Sequence, residues 1–319
     1  MNLGKLFDVH LHFVPDVYRD AAVGAGWATP DGMKGIPPWT ERGMLTMMDE
    51  LGIAKGMLSI SSPGIHFGDD AAARVLARKV NLEGAALKQR WPDRLGLFAS
   101  IPLPDVDGAL AEITFALDEL GAEGIYLQSN AGGIYPGDSA FEPVFAELDR
   151  REVVVFLHPT SPACPCCGER ERPMPRPVLD FMFDTTRAVT NLVLSGTLDR
   201  YPNIKLIVPH AGAAIPALLD RIIFCAELMP ISNISQEAIM ATFSRLYFDV
   251  AGVPVPRLLP ALRSFADPAR LFFGSDWPHT PQPVVARLRQ GLDTFLAEEP
   301  DFLAALQYGN AARLFSRDS

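Results

Sequence analysis

An extended chain through Phe7-Asp8-Val9-His10-Leu11-His12-Phe13 places Asp8, His10 and His12 on one face and the apolar side chains on the other. Two imidazoles at i and i+2 can grip one metal ion, and a nearby carboxylate such as Asp8 can orient one ring through a hydrogen bond. A pair of structural histidines is the plain alternative. Three further residues favour the metal: His158, His210 and Asp276, each closing an apolar run.

Those runs are strands in an alternating pattern. Strands are expected at 7–13, 55–59, 95–100, 124–127, 153–158, 204–209, 246–250 and 271–276. Helices are expected at 40–51 with Thr40 as N-cap, then at 69–91, 106–120, 140–151 and 178–198. Others run from Ala211-Gly212 to Met229 and over 283–296, 301–306 and 310–315. Eight short apolar strands alternating with helices, with no linker or composition break, predict one α/β domain over 1–319, a (β/α)8 TIM barrel. An open doubly wound sheet is the runner-up, but it would normally carry a Gly-rich loop after the first strand, where this chain has His-Phe-Val-Pro. In a parallel barrel all strand C-termini open on one face, so His10, His12, His158, His210 and Asp276 converge there around one divalent metal.

The 319 residues are 48% hydrophobic and 21% charged, ample for one large core. Lys plus Arg number 28 against 38 Asp plus Glu, a net charge of −10. That balance argues against nucleic acid and anionic membrane as partners. No apolar run approaches the ~18 residues of a membrane span, and the first residues run directly into a strand, so a cytoplasmic protein is expected. Three of the four cysteines crowd into Cys164-Pro165-Cys166-Cys167, in an insert after the fifth strand that reads as a short lid. Reduced thiols suit that clustering; a zinc knuckle lacks a near fourth ligand, and Cys-x-Cys-Cys is not the redox Cys-x-x-Cys.

The motifs Asp-x-His-x-His, Leu-His-Pro at 157–159, Pro-His-Ala-Gly at 209–212 and Gly-Ser-Asp-Trp-Pro-His at 274–279 together resemble the amidohydrolase superfamily over nearly the whole chain. Thr185-Thr186-Arg187-Ala188-Val189, Leu194-Ser195-Gly196 and Arg200-Tyr201-Pro202 look like its aminocarboxymuconate-semialdehyde decarboxylase branch. Pro30-Asp31-Gly32-Met33, Met48-Asp49 and Leu58 through Gly64 look like the 6-methylsalicylate decarboxylase group within it. Asp184 and Ala213 depart from the pattern, where family members often carry Glu and Gly. Members with two metals use a lysine at the end of strand four; no lysine lies between Lys88 and Lys205, so one metal is expected.

The resemblance implies His10, His12, His158 and Asp276 as the ligands, with no organic cofactor; imidazole plus carboxylate suits Zn²⁺, with Mn²⁺ as the alternative. His210 becomes the uncoordinated acid/base, and Asp8 supports the ligands. Asp276 is a second candidate for moving the proton. Arg221, eleven residues after His210, matches an arginine that in this branch crosses a homodimer interface to bind a substrate carboxylate; a surface helix arginine is its plain reading. His279 and His66 are expected at the rim, where each is otherwise a loop histidine. Phe13, Trp27 and Trp277 are expected to wall a small aromatic carboxylic acid, although Phe13 suits the core equally. The reaction implied is non-oxidative decarboxylation of an ortho-hydroxy aromatic acid. The same residues would serve a hydrolase using a metal-activated water, with His210 as base; release of CO2 separates the two. A non-catalytic metal-binding scaffold would have no use for His210.

Overall fold

The computed structural model describes residues 5–163, 174–229 and 234–316; the Cys164, Cys166 and Cys167 cluster, and with it most of the expected lid, lies outside the described residues. The strands are β1 (Leu6–His12), β2 (Ile53–Ser59), β3 (Leu95–Ser100), β4 (Gly124–Gln128), β5 (Val154–His158), β6 (Lys205–Val208), β7 (Tyr247–Asp249) and β8 (Leu271–Phe272). They lie side by side in chain order, each parallel to the next. Helices fill the crossovers that parallel pairing demands. The result is the expected (β/α)8 barrel and not an open sheet.

Strand β1 is buried along its whole length, as in a barrel covered by helices outside and filled by side chains inside. Phe98 of β3 and Phe156 of β5 stack with ring centroids 5.2 Å apart. The His10 ring meets Phe156 edge-on at 4.9 Å. The His10 end of β1 thus rests on a packed aromatic floor.

Strand β8 is shorter than the run at 271–276 suggests. Beyond it the backbone closes the ring on β1 directly: Val9 N–H donates to Phe273 O (3.0 Å), Asp276 N–H to His10 O (2.8 Å) and His12 N–H to Trp277 O (2.8 Å). A Cβ on Gly274 would lie 2.8 Å from the His10 Cβ. Glycine lets the two ends of the sheet approach this closely.

Thr40 caps the helix Glu41–Leu51 as expected, its side chain accepting from Gly43 N–H. The helix expected over 178–198 is two pieces, Asp180–Leu194 and Thr197–Arg200, because Gly196 adopts φ 73° between them. Three short helices escape the periodicity: Asp16–Gly24, Gln236–Ser244 and Leu258–Leu262. The first buries only Tyr18 and Ala22, too thin a stripe to stand out beside a Gly/Pro-rich excursion. Among the described residues no helix is long and apolar enough to cross a membrane.

Candidate metal centre

His10, His12, His158 and Asp276 each offer one ligand atom, and these atoms lie within 4.8 Å of one another. The orientation of each ring follows from its other nitrogen. His10 Nδ1 is 3.0 Å from Asp249 Oδ2, His12 Nδ1 is 3.0 Å from Ile60 O, and His158 Nδ1 is 2.8 Å from Pro159 O. Carboxylate and carbonyl oxygens accept only, so each Nδ1 carries a hydrogen and each ring, when neutral, presents a bare Nε2 lone pair. The lone pairs of His10 and His12 face one another at 3.0 Å, with Asp276 Oδ1 3.5 and 3.2 Å from them.

Such crowding of electron pairs among buried groups calls for a cation among them. Three imidazole nitrogens and one carboxylate oxygen make a donor set suited to a single divalent metal. The charge balance agrees. Burial drives the His158 imidazole well below its usual range and lowers that of His12, which keeps both as neutral ligands. At His10 burial works in the same direction, yet the Asp249 and Asp276 carboxylates outweigh it and lift the ring to about 10, so a metal takes its Nε2 by displacing a proton. Burial would also raise Asp276, but hydrogen bonds from His10, His12 and His210 overcome it and hold that carboxyl well below the usual range.

Asp249, at the end of β7, bears on both halves of the site. Its Oδ2 faces the His10 ring, and its Oδ1 accepts from His210 N–H (3.1 Å) and Ala251 N–H (2.9 Å). An Asp249→Asn variant should bind its divalent metal about 10- to 100-fold more weakly, as checked by competition with a chelator.

His210 stays outside the ligand cluster. Its Nε2 is 3.6 Å from Asp276 Oδ2, the oxygen pointing away from His10 and His12, and its Nδ1 is buried without a partner. Both residues hold left-handed backbone, His210 at φ 55° and Asp276 at φ 56°. Each such non-glycine residue costs about 1–3 kcal/mol and is typical of sites where geometry matters more than ease of folding. A cavity of about 460 Å³ opens over His158, His210, Asp276 and His279. Its other walls include Met33, Val178, Phe181, Met182, Val253 and Leu258, with Asp31, Ser61 and Ser62 as polar relief. This is the size and lining of a small-molecule site.

The sequence profile of the amidohydrolases matches residues 7–317. The chain belongs to the amidohydrolase family. This amidohydrolase is 37% identical over 320 residues to a 6-methylsalicylic acid decarboxylase of Aspergillus aculeatus, covering 97% of its own chain and 96% of the relative. It is 36% identical over 316 residues to a 6-methylsalicylic acid decarboxylase of Penicillium expansum, again covering 97% and 96%. The crystal structure of an amidohydrolase II superposes with a TM-score of 0.91 at 36% identity, over 97% of this chain and 99% of the other.

Among the residues expected at the amidohydrolase site, His279 lines the cavity. Its ring is 5.3 Å from that of His12, burial lowers its imidazole to about 4, and its Nε2 has no partner. The others lie away from the walls of this cavity. Asp8 does not orient an imidazole: its Oδ1 accepts from the backbone N–H groups of His10 and Ser275, both at 3.0 Å, and Asp249 takes the ring instead. Burial pushes the Asp8 carboxyl up to about 7. Phe13 is 1% exposed and packs on Trp39 in the core, on the face of β1 opposite the ligands. Trp277 lies against the core beside the β8–β1 closure and is not among the cavity walls. Trp27 and His66 line a neighbouring cleft, where His66 pairs with Asp70 at 2.8 Å. Arg221 is exposed on the helix Ile215–Leu228, outside the cavity of its own chain.

The two departures from the family pattern have physical readings. Asp184 is buried and accepts from Ser129, Asn130 and Tyr135, fastening the loop after β4 to the helix Asp180–Leu194. Ala213 sits at φ 55°, ψ −118°, a conformation natural to glycine. Ala213→Gly should therefore stabilise the fold by about 1 kcal/mol, and raise Tm in calorimetry by about 1–3 °C.

Proposed function

We propose that this amidohydrolase is a metal-dependent carboxy-lyase that releases CO2 from an ortho-hydroxy aromatic acid of the salicylate or 6-methylsalicylate type. The observation that carries the reading is its full-length relationship to two 6-methylsalicylic acid decarboxylases. A metal, a free histidine and a cavity would serve hydrolysis as well; that relationship decides between them. Zn²⁺ is the metal best matched to three imidazoles and a carboxylate, with Mn²⁺ as the alternative.

His10, His12, His158 and Asp276 would hold a divalent ion, which would supply Lewis acidity toward the acid. The residues of the chain handle the protons. Asp276 rests ionised, so it is the group placed to take the phenolic proton, through the oxygen that faces His210. His210 then gives a proton to the ring carbon bearing the carboxylate. The C–C bond breaks, its electron pair restores the aromatic ring, CO2 leaves, Asp276 returns the phenolic proton to the oxygen, and His210 is left one proton short. The apolar walls from Met33, Phe181 and Met182 hold the ring and exclude water from the carbon being protonated.

The described cavity walls include no Lys or Arg to receive the acid's carboxylate. Arg221 of a second copy fills that role in our reading, which makes the working unit a homodimer. Supporting it, Arg221 shares its helix with Phe224 and Leu228, 59% and 67% exposed, an apolar surface suited to a partner. Arg221→Met should raise KM about tenfold or more with a smaller change in kcat and an unchanged sedimentation coefficient.

The deciding experiment offers a panel of ortho-hydroxybenzoates to metal-free, Zn²⁺-loaded and Mn²⁺-loaded protein and measures CO2. Metal-dependent release of CO2 with the matching phenol is expected. Failure on every acid, with hydrolysis of a lactone or ester in its place, overturns the reading.

A further inference from the structure

Decarboxylation of an aromatic carboxylate to a neutral phenol and CO2 takes up one proton per turnover. The site must draw that proton from water while an aromatic ring fills the cavity. His210 Nδ1 is buried with no protein partner among the described residues, and its Nε2 is the nitrogen that faces Asp276. A route through a wall of the cavity would supply the proton while the ring is bound.

Two hollows meet at one side chain. The cleft beside the reaction cavity, about 340 Å³, is lined by Trp27, His66, Asn130 and Arg176 among others. Asp31 is the residue, among those described, that lines both this cleft and the reaction cavity. It is 7% exposed and held at φ 58° in left-handed backbone. Ser161 donates to its carboxylate, Ser62 stands beside it as a second donor, and Ser62 Oγ is 2.9 Å from Thr160 Oγ1. Neither the metal centre nor the steps above make use of it.

We propose that Asp31 is a proton relay, passing protons from water in the cleft to the reaction cavity. In one direction its carboxyl gives a proton to the base left in the cavity after CO2 departs. In the other the carboxylate takes a proton from the cleft. The net change is one proton moved inward, with Asp31 returned to its starting form.

The surroundings suit that work. Burial raises the Asp31 carboxyl above its ordinary value, opposed by the Ser161 and Ser62 hydroxyls and by the charge of Arg176. Tyr18 and Tyr126 also face it, and burial together with the Asp31 charge keeps both phenols un-ionised. A group that keeps its proton more readily than a surface carboxyl is a better donor near neutral pH.

This inference rests on the decarboxylase reading, and its test separates the two. Asparagine keeps the shape of Asp31, tolerates positive φ, and cannot carry the proton. In the metal-loaded enzyme, Asp31→Asn should lower kcat about tenfold or more at low buffer concentration, with KM little changed. Small proton donors such as imidazole or formate should restore kcat in a saturable way, and the solvent deuterium isotope effect on kcat should grow. Asp31→Gly, which suits the same backbone, should show the same rescue if asparagine impairs folding. Wild-type kcat in either folded variant, or a loss confined to KM, overturns the relay alone. Absence of CO2 from the wild-type enzyme on every acid overturns the decarboxylase reading and the relay with it.

Discussion

An Asp276→Asn enzyme should release CO2 at least about 10³-fold more slowly than wild type, the largest single-residue loss expected in this protein. Both proposed functions meet in that carboxylate. Its Oδ1 lies 3.5 and 3.2 Å from the Nε2 atoms of His10 and His12, and its Oδ2 lies 3.6 Å from His210. The amide keeps the shape but loses the charge that holds a divalent ion and the basicity that takes a phenolic proton. Backbone strain is not the cause, since asparagine accepts the φ of 56° at this position. Metal content measured beside the rate divides the effect between the two functions. A normal rate at full metal occupancy would refute both.

His210→Asn should be nearly as damaging and differently so. Loss of a positioned acid or base typically costs about 10²–10⁴-fold in kcat. Because His210 is outside the four-donor cluster, metal content and substrate affinity should remain close to wild type. Asparagine again suits the local φ of 55°. If the variant loses its metal, His210 is a ligand and the division of labour proposed above fails.

The residues named by these two predictions were legible in the sequence because parallel barrel strands are continuous apolar runs. A histidine or aspartate that ends one stands out, and the barrel brings those ends together whatever their distance in the chain. Asp249 was not legible in this way. Its strand is three residues long, and its partner His10 is 239 positions away, so nothing local marks an aspartate after Phe248 as the one that orients a ligand. Asp8 occupied that role by proximity alone; the fold turns its carboxylate to the backbone instead. Trp27 and His66 do sit near the mouth, but in the adjoining cleft, and which hollow a loop residue enters depends on loop paths that no periodicity encodes. Asp31 carried one hint, the Pro-Asp-Gly-Met motif; its place between two hollows needed coordinates. The shortness of β8 likewise follows from Gly274 closing onto His10, a contact between the two ends of the chain.

That junction gives the cation a mechanical duty as well. The joint between first and last staves is held by isolated amide contacts, among them Asp276 N–H to His10 O, and both residues also belong to the four-donor cluster. An ion gripping their side chains fastens the same joint their backbones span, so affinity for the ion and the barrel's resistance to unzipping there are one free energy measured from two sides.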